Sequence, residues 1–337
     1  LKKIFIILLL STLLLSGCVN NNDSKTFSNQ ALLLDTTVTI TLFEDNKEAF
    51  EKSFELIEYY ENMLSSHKEM SDIYKINHSN GDLVSVNEIT IELIKKAKEY
   101  SILTNGLFDI SIGSLIELWD INNKDDGSTP PSQSDINNAI NFTGNDKVKI
   151  LNNSIQLDAG VMLDLGGIAK GFIADKVAQN LVEMGIERGI INLGGNVFVL
   201  GSKVDGSDYR IGVQDPDDNR GDYMGVLSVS NQSVVTSGIY ERYFITDGVH
   251  YHHILDPFSG FPSNNDLKSV TIVSELSVDG DALSTSVFLL GVDKGLKFVE
   301  DLKNIDAILI TKDNKVYCTS GINDVFEITS SKYEKAN

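Results

Sequence analysis

Cysteine is almost absent: the 337 residues include two, Cys18 and Cys318. A disulfide-stapled scaffold is thereby excluded. Basic residues are also scarce, with 28 Lys and Arg against 48 Asp and Glu, a formal charge of −20. Sequence-independent nucleic-acid binding needs Lys and Arg to neutralise phosphates, so no nucleic-acid partner is expected. Adhesion to anionic lipid through surface charge alone fits as poorly. No apolar run is long enough for a comfortable membrane span; the stretch 4–15 is the nearest, and Ser11 and Thr12 break it. Tryptophan occurs once, as Trp119. No internal repeat and no heptad series is found.

Hydrophobic residues make up 42% of the chain, enough for a substantial core in one large domain or two ordinary ones. The N-terminus has the form of a targeting segment. Lys2 and Lys3 precede the apolar run, and Leu15-Ser16-Gly17-Cys18 follows it. This resembles a bacterial lipobox, in which the Cys sulfur takes a diacylglycerol. Residues 1–17 are read as a lipoprotein signal peptide and Cys18 as the lipidated residue. Residues 18–30 are a flexible tether rich in Asn, Ser and Asp, and residues 31–330 are the folded domain. The alternative is an ordinary signal peptide with a chance Cys. The lipobox reading predicts a lipid-anchored protein on the extracytoplasmic face of a bacterial membrane. Cys318 then has no partner and is read as a buried small hydrophobe in a strand.

Periodicity predicts a strand over 35–43 and helices over 47–66, 89–103, 169–184, 282–290 and 294–302, with a polar loop over 124–134. Short strands are expected near 189–193, 197–200, 209–213, 224–229, 233–236, 269–274, 307–311, 316–319 and 325–328. The pattern lacks regular strand–helix alternation. It predicts an α+β fold with mixed, largely antiparallel sheets, packed helices and a single large domain.

Several segments offer chemistry, each beside a plainer reading. In Asp279-Gly280-Asp281-Ala282-Leu283-Ser284-Thr285, Asp281 and Thr285 share one helical face. A carboxylate and a hydroxyl there suit Mg²⁺; alternatively, Asp281 caps a helix beginning near Ala282. Asp164-Leu165-Gly166-Gly167-Ile168-Ala169-Lys170-Gly171 precedes a helix, whose free N–H groups would welcome an anion. It lacks P-loop spacing, and a tight turn capped by Asp164 is the alternative. His252 and His253 are adjacent, so on a strand they face opposite ways and make a poor metal pair. One of them suits a general base, or one is core and one is solvated. Ser237 to Phe244 holds Glu241-Arg242 among aromatics, either a ring clamp or a surface turn. Gly106 to Ile110 with Trp119 reads by default as core.

The order of the blocks is more specific than any one of them. Leu34-Asp35-Thr36, Gly106 to Ile110, Asp164 to Gly171, Asn192 to Asn196, Tyr209 to Pro216, Ser237 to Arg242, His252 to Pro262 and Asp279 to Thr285 together resemble the ApbE family. The resemblance runs from about Leu32 to Phe326. That family comprises FAD:protein FMN transferases, often lipoproteins. The resemblance implies FAD as substrate, Mg²⁺ as cofactor, and transfer of FMN by a phosphoester to a Thr of an acceptor protein, with release of AMP. It also implies Asp281, Thr285 and the Gly167 carbonyl at the metal, and Asp164 and Lys170 at FAD. Leu34, His67, Leu107, Phe108, Asp109 and Ile254 would line the flavin and adenosine pockets. His253 would assist deprotonation of the acceptor hydroxyl. The family's first block commonly reads Met-Gly-Thr, so Asp35 replaces a Gly here, and His67 stands where many members have Thr or Tyr. Two other functions share these residues: a Mg²⁺-dependent FAD pyrophosphatase, and a non-catalytic FAD-binding lipoprotein.

Overall fold

The computed structural model describes residues 25–219 and 221–337. The expected signal peptide, Cys18 and the first part of the tether lie outside the described residues. A nine-stranded sheet runs through the domain as β1 (Phe27–Leu33), β2 (Thr36–Leu42), β3 (Gly189–Leu193), β4 (Asn196–Leu200), β5 (Gln232–Gly238), β6 (Leu267–Ser274), β7 (Ile305–Thr311), β8 (Lys315–Cys318) and β9 (Glu334–Lys335). Its spatial order is its chain order. Neighbours are antiparallel apart from the parallel pair β8–β9. The domain is thus α+β with a largely antiparallel sheet, as the sequence predicts.

The tether expectation needs correction at its C-terminal end. Residues 27–30 are not tether but the first half of β1, paired with β2 and held by a 2.6 Å bond between the Ser28 and Thr41 hydroxyls. The two strands are joined by Leu34 and Asp35, both at positive φ (55° and 54°). A two-residue hairpin turn with native twist requires that conformation.

Seven helices occur among the described residues: α1 (Lys47–Leu64), α2 (Asp72–Asn77), α3 (Glu88–Leu103), α4 (Gly113–Trp119), α5 (Gln133–Ile140), α6 (Ala169–Glu183) and α7 (Ser277–Glu300). The sequence does not predict the short helices α2, α4 and α5, because six to eight residues give too little periodicity to detect. The helix expected from Ala282 begins five residues earlier, at Ser277, and passes through a non-helical Gly291 (φ 75°, ψ −176°). Asp281 therefore does not cap α7; it lies in that helix's second turn.

The sheet is covered on both faces. On β7, Ala307 and Leu309 join the core beneath α6 and α7, while Ile308 and Ile310 join a second core. That second core is roofed by the ribbon Tyr209–Gln214 and Tyr223–Val229. Burial on both sides explains why the β7 run shows no polar alternation. A third core holds Trp119, Leu115, Ile136, Phe244 and Leu255 under the hairpin Tyr243–Thr246/Val249–His252. Trp119 Nε1 donates to the Gly260 carbonyl at 2.7 Å, so the only Trp is core, as its default reading holds. Cys318 is buried and free, and burial pushes its thiol up to about 11.

Helices α6 and α7 meet at Gly171. A Cβ there would lie 2.3 Å from the Ser277 carbonyl oxygen and 2.8 Å from Val278 Cα. The two backbones touch because that side chain is missing. Gly171→Ala is expected to lower stability by about 1–3 kcal/mol through overpacking against backbone that cannot yield. Urea unfolding checks this, and an unchanged midpoint would place the helices farther apart than described.

Candidate active site

The N-termini of α6 and α7 both lack a side-chain cap of their own. Ile168 and Leu276 hold the N-cap positions, and neither side chain can accept a hydrogen bond. Each helix instead receives a carboxylate from the other. Asp175 of α6 accepts from the Ser277 and Val278 N–H groups of α7 at 2.7 and 2.9 Å. Asp281 of α7 accepts from the Gly171 N–H of α6 at 2.9 Å. Carboxylates at helix N-termini are favoured by both the free N–H groups and the helix dipole.

Asp281 is buried, with its second oxygen 3.7 Å from Lys170 Nζ. Thr285 follows one turn later. A Cβ built on Gly167 would lie 4.0 Å from Thr285 Oγ1 and 3.3 Å from the Phe108 ring. The three residues implied at the metal, Asp281, Thr285 and Gly167, thus come from two chain segments to one place, with Phe108 beside them. Among the described residues no group of three His, Cys, Asp or Glu forms a metal cluster. The donors are one carboxylate, one hydroxyl and a carbonyl, all hard oxygens. That set suits Mg²⁺, which takes few protein ligands and fills its octahedron with phosphate and water. Burial pushes Asp175 up to about 7 against the pull of the Val278 and Ser277 N–H bonds, and the charges of Asp279 and Asp281 add to the rise.

Asp164 does not cap α6. Its Oδ1 accepts from the Gly166 N–H at 2.8 Å, while its own N–H donates to the Ile110 carbonyl at 2.8 Å, joining the Gly-rich loop to the Phe108 segment. Burial raises its pKa, and His67, Arg242 and Lys170 pull against that rise. The side chains of His67, Arg242 and Lys170 therefore stand near the same loop. Asp109 turns back on its own segment, accepting from the Ser111 N–H and hydroxyl at 2.8 and 2.7 Å, and burial raises its pKa. Leu107 is half-buried next to Phe108. Leu34 sits at the hairpin tip, partly buried against the main core. Ile254 is buried, and its carbonyl accepts from the Ser263 N–H at 2.9 Å.

The two histidines are settled by hydrogen bonding more than by strand alternation, because the strand ends at His252. His252 is buried, and both its nitrogens are used. Nε2 meets the Ser263 carbonyl at 2.8 Å, and Nδ1 accepts from the Ile254 N–H at 3.2 Å. Carbonyls only accept, so His252 carries its proton on Nε2. His253 has the opposite tautomer. Its Nδ1 lies 3.3 Å from the Arg242 carbonyl, which also accepts its backbone N–H at 3.1 Å. The proton sits on Nδ1, and Nε2 keeps its lone pair. Burial, then the Arg242 charge, push His253 down to about 3, with Lys170 acting in the same sense. Arg242 is exposed, and its carbonyl is the orienting group that the sequence did not single out. Asp175 was also missed. The available signal was a helix start with an apolar N-cap residue, which calls for a cap from elsewhere.

Comparison with known proteins supplies the context. The sequence profile of the ApbE family matches residues 34–309. A protein from Klebsiella pneumoniae named FAD:protein FMN transferase is 37% identical over 303 residues, spanning 89% of this chain and 93% of that protein. One of the same name from Treponema pallidum is 31% identical over 94% of this chain and 93% of its own length. The crystal structure of the ApbE protein from Thermotoga maritima superposes with a TM-score of 0.83 at 31% identity, covering 89% of this chain and 99% of that one.

Burial pushes His252 down to about 4. The unfolded imidazole titrates near 6.5, so the unfolded chain binds more protons between pH 6.5 and 4. Stability from His252 is complete above pH 6.5 and is lost as pH falls towards 4. Between pH 7 and 5 this residue is expected to account for about 2 kcal/mol of lost stability. Chemical denaturation of wild type and His252→Gln at both pH values checks it; equal pH slopes would contradict the buried neutral ring.

Proposed function

The chain belongs to the ApbE family and is an FAD:protein FMN transferase; from that premise we propose that it joins FMN to a threonine hydroxyl of an acceptor protein, releases AMP, and uses Mg²⁺. The observation that carries this reading is the setting of Asp281. This buried carboxylate has one oxygen on the Gly171 N–H and the other turned towards Lys170, one turn before Thr285 and across from Gly167. Asp281, Thr285 and the Gly167 carbonyl would hold the ion, which would supply charge neutralisation at the pyrophosphate. Lys170 stands where it can meet the anionic phosphates, on a helix N-terminus that itself favours anions.

His253 is the base. Its Nε2 takes the proton of the acceptor hydroxyl as that oxygen bonds to the FMN-side phosphorus, and the phosphorus–oxygen bond to AMP breaks. Burial, with the charges of Arg242 and Lys170 acting in the same sense, keeps the ring unprotonated in the free protein. Bound pyrophosphate would cancel part of their field and return basicity to the ring when it is needed. Asp164, Phe108, Leu107, His67, Leu34, Asp109 and Ile254 are proposed as the walls of the FAD cleft.

Incubation with FAD, Mg²⁺ and a Thr-bearing acceptor, read by intact mass, tests the function. The expected result is one FMN added to the acceptor. Free FMN with AMP would indicate a hydrolase, and unchanged FAD a binder. Asp281→Ala is expected to slow transfer by about 100-fold or more. His253→Ala should cost about 10²–10⁴-fold in single-turnover rate with FAD affinity kept, and His252→Ala far less. Loss in His252→Ala instead would reverse the assignment of the two rings.

Anchoring through a lipidated Cys18 is proposed on the Leu15–Cys18 box. Cys18→Ala should then give an active protein released from membranes. Its continued sedimentation with membranes on fractionation would contradict the anchor.

A further inference from the structure

We infer that Asp175 is a positioning residue for the metal and pyrophosphate site, acting through the backbone of α7. The inference rests on the proposed Mg²⁺ site at Asp281, Thr285 and Gly167. Asp175 lies on α6 two turns into the helix, and its carboxylate bonds both of the first two N–H groups of α7, at 2.7 and 2.9 Å. Leu276, the N-cap residue of α7, offers those groups no side-chain acceptor. The bidentate bond therefore fixes where α7 begins relative to α6.

The consequence is geometric. The Gly167 loop leads directly into α6, while Asp281 and Thr285 follow on α7. The relative placement of these donors is the relative placement of the two helices. Contacts from α3 support the same helix end. The Tyr100 hydroxyl bonds the Asp279 carboxylate, and Lys96 Nζ lies 3.9 Å from it. Gly171 lets the backbones touch, which sets the spacing, and the Gly171–Asp281 bond closes the arrangement from the other side. Contact and cap thus divide the work: Gly171 sets how close the helices lie, and Asp175 sets how far α7 slides along α6. Asp175 itself bonds only backbone of α7, so it acts on the donors through their helix.

The test compares wild type with Asp175→Asn and Asp175→Ala, using Mn²⁺ as the probe ion in the presence of FAD. Asn keeps one acceptor oxygen but turns an N–H donor towards the second helix N–H; Ala removes both acceptors. Outer-shell partners of a metal site typically change affinity by about 10–100-fold. The expected result is a Mn²⁺ Kd, measured by electron paramagnetic resonance, about 10-fold weaker in Asp175→Asn and weaker still in Asp175→Ala. FAD affinity without metal should stay within about threefold, because no FAD contact is removed. A variant with a lowered melting temperature and unchanged Mn²⁺ affinity would make Asp175 a stability cap only and overturn the inference. If Asp175→Ala does not fold, the Asn variant decides. A wild-type protein that binds no Mn²⁺ with FAD would overturn the proposed metal site, and this inference with it.

Discussion

Two helix ends, each capped by a carboxylate from the other, are the constraint on which the site depends. An uncapped N-terminus leaves four N–H groups without partners, and neither Ile168 nor Leu276 can serve them. The usual solution is local and involves one residue next to its own helix. Here Asp175 and Asp281 lie on the opposite helices, so satisfying the backbone and docking the helices are the same event. Asp281 bonds the Gly171 N–H through one oxygen and holds the other 3.7 Å from Lys170 Nζ, in a buried setting where a charge is costly unless paired.

The histidine pair shows the same economy at smaller scale. Both rings are held by backbone carbonyls, and the choice of ring nitrogen decides their chemistry. His252 spends both nitrogens on Ser263 and Ile254, so it closes the loop and can do nothing else. His253 spends only Nδ1, on the Arg242 carbonyl. The hairpin register makes this possible, because pairing of Tyr243 with His252 sets Arg242 opposite His253.

Much of the fold was legible in the sequence because its long elements have clear periods. Helices α1, α3 and α6 were placed within two residues at each end, and the break at Gly291 was read from a single glycine. Helices α2, α4 and α5 were not, since six to eight residues carry too little pattern. The start of α7 was missed for a related reason: Leu276 is no capping residue, whereas Ser277, Asp279 and Asp281 after it are all plausible caps. The true cap is Asp175, about a hundred residues away, and no local rule can find it. The blocks that converge on Gly167 were legible as an ordered series. Their orientation was not, because it depends on carbonyls such as those of Arg242 and Ser263, which every residue type supplies alike. Asp109 bonds its carboxylate to the Ser111 N–H and hydroxyl, a local turn that its place in the block did not reveal.

The hairpin tip shows how a departure from the family pattern can be absorbed. Where the family commonly has Gly, Asp35 takes a positive φ of 54°, a conformation Asp tolerates better than most residues. Leu34 at φ 55° has no such excuse. A bulky side chain there costs about 1–2 kcal/mol relative to an ordinary backbone conformation. A turn selected only for closure would carry Asn or Gly at that place, as Asn152 does between the strands Val148–Leu151 and Ser154–Leu157. The Leu34 side chain rests against the main core instead, so part of the strain is offset by burial. The first block of the series is thus a tip whose shape is fixed by pairing of β1 with β2, and whose one unfavourable residue is held there by what its side chain touches.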